Sequence, residues 1–243
     1  MRIPVKLHSV AFDIQTLRLG VTRLEFFQDD MLDQADSAAA MTEPDLVKWL
    51  MNDPRTRGVI LEELSLPMTA KSYTRVGSPF ITNPNKKPGD IDILACEVSR
   101  PHQAVTVECK RVKVRAVVDG TEKINRLEAL GGADRQAREL FGLGFSRTYL
   151  GVVAIVDGRA NDDRNFLFRG ISDANYRRII EFAGDLTLPE GVGLLYLEII
   201  QPVQRPVGDA GMLCVAVARE AKPRSQREHL TTHLENFIRE GGV

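Results

Sequence analysis

Two short segments, Asp90-Ile91-Asp92-Ile93-Leu94 and Val105-Thr106-Val107-Glu108-Cys109-Lys110, constrain this chain more than any other part of it. Both alternate apolar and polar residues with the period of two that a strand imposes. In the second, Val105, Val107 and Cys109 share one face, and Thr106, Glu108 and Lys110 share the other. In the first, Ile91 and Ile93 oppose Asp90 and Asp92. Ser99-Arg100-Pro101-His102 turns the chain between them, short enough for a hairpin-like pairing. Two carboxylates and one ammonium then meet on one face of a sheet. A solvent-facing strand would alternate in the same way, but aspartate is disfavoured in strands, and here two of them lie beside an isoleucine face. After Lys110 the alternation changes phase, because Val112 and Val114 are apolar on the parity that was polar. A bulge or break near Arg111 is expected, and bulges re-aim side chains beside active sites.

The rest of the chain supplies helices and further strands. Thr42 is positioned to cap a helix with Glu43, Pro44 and Asp45 in its first turn, burying Leu46, Trp49 and Leu50 and ending near Asp53-Pro54. A second helical piece runs from Arg57 to Leu66. Ser72 to Ile81 reads as a strand, residues 82–89 as a loop, Asp90 to Val98 as a strand, and Ala104 to Lys110 as another. Glu122 to Phe141 reads as mostly helical, weakened by Gly131-Gly132. Tyr149 to Val156 is a buried strand, Asn175 to Ala183 a helix, Gly193 to Gln201 and Met212 to Arg219 strands, and Ser225 to Arg239 a helix. Ile3 to Leu24 has room for a strand or two, and Gln28 to Ala40 reads as a helix or a connection. Strands interleaved with helices predict an α/β fold with a mixed β-sheet flanked by helices.

With 43% hydrophobic and 27% charged residues, the chain is neither disordered nor fibrous. A single domain over residues 1–243, with its core at about 57–157, is expected. No apolar stretch approaches the roughly 20 residues of a membrane span, and Lys6, His8 and Asp13 interrupt any signal-peptide core. Three cysteines without a CxxC pair imply neither a disulfide scaffold nor a cysteine zinc site, and the expected location is cytoplasmic. Charge is segregated: residues 1–66 carry 7 basic and 11 acidic groups, whereas residues 71–115 carry 9 basic and 4 acidic. The positive segment contains the carboxylate pair, so a polyanion has somewhere to bind.

The run from Gly89-Asp90-Ile91-Asp92 to Glu108-Cys109-Lys110 resembles the PD-(D/E)xK nuclease superfamily, the restriction-endonuclease-like fold. The family pattern is an acid near the start of one strand and a following strand that ends in acid-any-Lys. The resemblance covers about Arg57 to Asp157, including Arg135-Gln136-Ala137-Arg138-Glu139-Leu140 and the strand after it. It implies a metal-dependent nuclease that hydrolyses phosphodiester bonds, most simply a DNA endonuclease. Mg²⁺, or Mn²⁺ in its place, would be held by Asp92, Glu108 and the Cys109 backbone carbonyl, with Asp90 as a backup ligand. Hard oxygen donors of this kind suit such ions. Lys110 would position the attacking water and stabilise developing charge. The family often adds a glutamate from a preceding helix; Glu62 and Glu63 are the candidates, and Glu63 is favoured because it shares a helix face with Val59, Ile60 and Leu66. Gln136 is a candidate for contact with a phosphate or a water. Lys71, Arg75, Lys86, Lys87, Arg111, Lys113 and Arg115 are candidates for nucleic-acid backbone contacts, which supply affinity without sequence readout. A homodimer would suit cutting two strands.

Three other readings compete. A member of the same fold could bind nucleic acid or a partner without catalysis. Gly77-Ser78 followed by Asp90-Ile91-Asp92 resembles the GS…DxD signature of nucleotidyltransferases, but Pro79, Pro84 and Pro88 fill the interval where that family needs a helix. His229 and His233, four apart on the last helix, offer half a metal site with no third ligand nearby.

Overall fold

The computed structural model describes residues 24–28, 42–81, 89–116, 122–125, 127–157, 170–200 and 210–242. Eight strands are present among them: β1 (Leu24–Gln28), β2 (Lys71–Val76), β3 (Ile91–Cys96), β4 (Val105–Ala116), β5 (Glu122–Asn125), β6 (Arg147–Asp157), β7 (Val192–Ile200) and β8 (Ala210–Arg219). The helices are α1 (Glu43–Asn52), α2 (Pro54–Glu63), α3 (Ala133–Leu143), α4 (Asp173–Gly184) and α5 (Glu228–Arg239). The molecule is an α/β protein in which one mixed sheet gathers every strand, in the order β1-β8-β7-β6-β4-β3-β2, with β5 attached to β4. β4, β6 and β7 are mutually parallel; the other pairings are antiparallel. Among the described residues no helix is long and apolar enough to cross a membrane.

Helix starts follow their caps. The Thr42 hydroxyl accepts the Asp45 N–H at 3.3 Å. Asp53 ends α1 and starts α2, accepting the Arg55 N–H at 2.7 Å, with Pro54 in the first turn. α1 and α2 cover one sheet face with Leu46, Leu50, Ile60 and Leu61, against Val107 and Cys109 of β4, Val153 of β6 and Leu197 of β7. Each such fully buried aliphatic side chain contributes about 1.5–3 kcal/mol. On the opposite face α3 and α4 place Ala137, Tyr176 and Ile179 over Val112 and Val114 of β4 and Val152 and Ala154 of β6. A third apolar patch joins Leu94 and Cys96 of β3 to Leu140 of α3 and to Leu230, Leu234 and Phe237 of α5.

Three expectations from the sequence do not hold. β4 has no bulge near Arg111: it pairs with β6 residue for residue from Val105↔Arg147 to Arg115↔Asp157. The change of phase after Lys110 comes from a change in which face is covered. The first half of β4 buries Val105, Val107 and Cys109 under α1 and α2, and the second half buries Val112 and Val114 under α3 and α4. Glu122–Asn125 is a strand rather than the start of a helix, paired antiparallel with Lys113–Ala116. The strand beginning at β2 stops at Val76, and residues 77–80 turn, with the Phe80 and Ile81 N–H groups on the Gly77 carbonyl. That turn stands where a nucleotidyltransferase would need its Gly-Ser helix to begin. Gln28 to Ala40 beyond residue 28, and Ile3 to Leu24 short of residue 24, lie outside the described residues.

α3 ends at Gly144, whose φ of 104° lies in the left-handed region, and a Cβ there would meet the Arg227 side chain at 2.6 Å. Backbone preference alone makes Gly144→Ala cost about 1–2 kcal/mol. The variant is expected to unfold at a lower urea midpoint with an unchanged m-value.

Candidate active site

β4 meets β3 through only three residue pairs, Val105↔Ala95, Thr106↔Leu94 and Val107↔Ile93, and it does not meet β5 until Lys113. Between these points one edge of β4 has no strand neighbour among the described residues, while its other edge stays on β6. Buried backbone N–H groups need acceptors, and here side-chain carboxylates provide them. Asp92 Oδ2 accepts the Cys109 N–H at 2.7 Å, and Glu43 Oε2 accepts the Arg111 N–H at 2.9 Å. The polar parity of β4 rises into the same place. Lys110 Nζ donates to Glu108 Oε1 at 2.8 Å, to the Cys109 carbonyl at 2.8 Å and to Glu43 Oε1 at 3.0 Å. Asp92, Glu108 and Lys110 are 7%, 2% and 9% exposed, which rules out an ordinary solvated strand face.

Three carboxylates around one ammonium in a buried place leave a surplus of negative charge. Burial, and then the neighbouring Glu108 charge, push Asp92 up to about 7, against the opposing pull of the Cys109 N–H and Lys110. Glu108 is also raised, by burial first, although Lys110 pulls the other way. For Lys110 burial favours the neutral amine, but the Glu108 and Glu43 charges outweigh it and hold the ammonium far above the usual lysine range. Cys109 turns its thiol to the opposite face, into the core against α1 and α2, where burial raises it well above an ordinary thiol. Its expected roles, a core side chain and an oxygen donor through its carbonyl, are compatible with that geometry.

Asp90 is half-buried at the rim, with Oδ2 3.6 Å from Arg75 Nε, and its charge contributes to raising Glu108. The helix glutamate that the structure brings to Lys110 is Glu43 rather than Glu63. Glu63 closes α2, which packs toward β1 and β8, and it is not among the partners of Lys110. Glu62 is exposed on the same last turn. Glu43 lies on α1, which passes over β2, β3 and β4. In the sequence the Thr42 helix start accounts for its acid by itself, and that local explanation hides its second use. Gln136 is half-buried on α3 and makes no hydrogen bond to Asp92, Glu108 or Lys110.

Of the basic candidates, Lys71 and Arg75 are exposed on β2, and Arg75 has a left-handed φ of 57° between the ladder pairs Thr74↔Ile93 and Val76↔Ile91. Arg111 and Lys113 are half-buried on the face of β4 opposite Lys110. Lys86 and Lys87, and the side chain of Arg115, lie outside the described residues. His229 and His233 have ring centroids 6.0 Å apart, and His233 packs edge-on against Phe80.

The donors available here, two carboxylates from β3 and β4, a third from α1 and a backbone carbonyl, are hard oxygens of the kind that Mg²⁺ or Mn²⁺ takes. The excess negative charge fits a cation. In this arrangement the Lys110 ammonium engages three of those oxygens, and among the described residues no three His, Cys, Asp or Glu side chains are grouped ready to hold a metal.

No protein-family model matches the sequence, and no curated protein matches it. Among solved structures, the chain has a distant likeness to that of Pyrococcus furiosus SfsA in complex with Ca²⁺. The two are 12% identical, the match covers 69% of this chain and 62% of that one, and the TM-score is 0.24. The chain thus spans less than two thirds of that protein, and a likeness at this level assigns no activity.

The charge surplus yields a stability test. Asp92 is raised on folding, from an ordinary 3.8 to about 7, so folding carries a cost that grows as the pH rises between those values and is complete above them. Asp92→Asn keeps an oxygen for the Cys109 N–H and removes the charge. Without added metal it is expected to melt several degrees above the wild type at pH 8, at roughly 2–4 °C per kcal/mol recovered. The advantage fades as the pH is lowered toward 4, as scanning calorimetry would show.

Proposed function

We propose that this protein is a metal-dependent nuclease of the PD-(D/E)xK type, hydrolysing phosphodiester bonds, with DNA as the substrate. The observation that carries the reading is the convergence of Asp92, Glu108 and Lys110, from a short antiparallel strand pair, at the unpaired edge of β4. A folded core gains nothing from burying two adjacent carboxylates that burial drives toward neutrality. Asp92, Glu108 and the Cys109 carbonyl are the ligands we assign to Mg²⁺ or Mn²⁺, with Glu43 beside them. Bound there, such an ion would supply charge neutralisation at the phosphate and a more acidic water.

The chain's own groups divide the remaining work. Lys110 stays protonated, so it acts as a donor that orients a water or a phosphate oxygen and stabilises the negative charge that develops in an in-line displacement. Glu43 aims that ammonium and, through the Arg111 N–H, fixes the end of α1 against β4. Arg75 and Lys71, exposed on the neighbouring edge strand, can meet the backbone of a bound strand without reading its sequence. Arg111 and Lys113 lie on the other face of β4, so within the positive segment it is Lys71 and Arg75 that support this part of the reading.

One observation favours the alternative of a binding protein without catalysis: the hydrogen bonds of Lys110 already use the oxygens a metal would need. Cleavage separates the two readings. Purified protein incubated with plasmid and linear DNA should cut with Mg²⁺ or Mn²⁺ and stop with chelator. Glu108→Ala and Lys110→Ala should each lower the rate at least about 100-fold, and Glu43→Gln about 10–100-fold, with circular dichroism checking the fold. Cleavage that survives chelator or Glu108→Ala would remove the proposed mechanism, and DNA binding without cleavage would leave the binding reading.

A further inference from the structure

A second polar site lies where β4 and β6 begin. A cavity of about 700 Å³ opens there, lined by Ser65, His102, Ser146, Arg147, Arg224 and Gln226 among others, and among the described residues by no carboxylate. Arg147 stands opposite Val105 in the ladder. At about 3.3 Å per residue, Glu108 and Lys110 are therefore about 10–17 Å further along β4. The cavity is separate from the carboxylate cluster.

Its walls are fixed by bonds to neutral groups. Arg147 Nη1 donates to the Leu64 carbonyl at 2.7 Å, at the end of α2. Arg224 Nε donates to the Phe145 carbonyl at 2.8 Å and Nη2 to the Phe141 carbonyl in the last turn of α3, with the guanidinium 3.7 Å above the Phe141 ring. Gln226 Nε2 bonds the Pro101 carbonyl and Thr231 Oγ1, each at 3.0 Å. Neither arginine is ion-paired among the described residues. The two helix ends offset about half a charge each, which leaves a positive surplus at the arginine walls of the cavity. Arg227 adds to it: Arg224 is lowered by burial and then by the Arg227 charge. Guanidinium groups held in place without a counter-charge, beside serine hydroxyls, are suited to phosphate oxygens. The volume matches a small-molecule site.

We propose that this cavity binds a phosphomonoester, a phosphate group carried on a nucleotide-sized molecule or at the end of a nucleic-acid strand. The inference does not rest on the nuclease reading. It is tested by titrating the full-length protein, at constant ionic strength and without divalent metal, with inorganic phosphate, with a nucleoside 5′-monophosphate, and with one oligonucleotide bearing either a 5′-phosphate or a 5′-hydroxyl. Calorimetry and the thermal shift are the readouts. Saturable binding of the phosphorylated probes is expected, weakened at least tenfold by Arg147→Gln and by His102→Ala and unchanged by Glu108→Ala. His102 is exposed, so its variant keeps the test open if Arg147→Gln fails to fold. Tighter binding of the phosphorylated strand than of the free nucleotide assigns the site to strand ends; equal binding assigns it to a free phosphoester. No saturable binding, or binding that both cavity variants leave intact, overturns the proposal.

Discussion

Along one edge β4 is paired with β6 from Val105 to Arg115, and along the other it loses β3 after Val107 and gains β5 only at Lys113. The interval between exposes backbone N–H groups inside the protein. Leaving a buried donor unsatisfied costs roughly 1–3 kcal/mol, so acceptors must come from somewhere, and Asp92 and Glu43 provide them. The interval thus fixes the acids and the acids close the interval. Had β3 followed β4 for four more residues, main-chain carbonyls would have taken those positions and no carboxylate cluster would have formed.

The same interval explains the layering on that side of the sheet. Thr106, Glu108 and Lys110 run as a polar stripe between the apolar patch of β3, α3 and α5 and the apolar patch of β4, β6, α3 and α4. Thr106 is satisfied through Thr148 and the Arg147 carbonyl across the parallel ladder. Glu108 and Lys110 satisfy one another. The sheet therefore carries a buried electrostatic line, held on the β6 side by an uninterrupted ladder.

Much of this was legible in the residues, and the failures have physical causes. The period of two, the Pro101 turn and the Asp/Glu/Lys parity specified the β3–β4 pair and the face on which its charges meet. The apolar run from Tyr149 to Val156 specified a buried strand. Glu43 was not legible, because a Thr-Glu-Pro-Asp helix start accounts for its acid without any distant partner, and its contact to Lys110 spans 67 positions. Glu63 looked better placed because α2 has an inward face, yet that face belongs to the β1–β8 side of the sheet, which local periodicity does not reveal. The change of phase at Arg111 looks like a backbone irregularity in the sequence, whereas in the structure the helices exchange the side they cover. Glu122–Asn125 pairs as a strand because the free edge of β4 lies beside it, which is a tertiary fact.

α1 carries Glu43 at its first turn and Trp49 two turns on, and Trp49 is the chain's sole tryptophan, half-buried against the core beneath that helix. The indole and the carboxylate ride on one rigid rod. Any event that shifts the rod moves the fluorophore relative to its apolar surroundings; under the proposed function, a cation displacing the ammonium would be such an event. On the proposed function, Trp49 emission would serve as a label-free gauge of whether the site is filled.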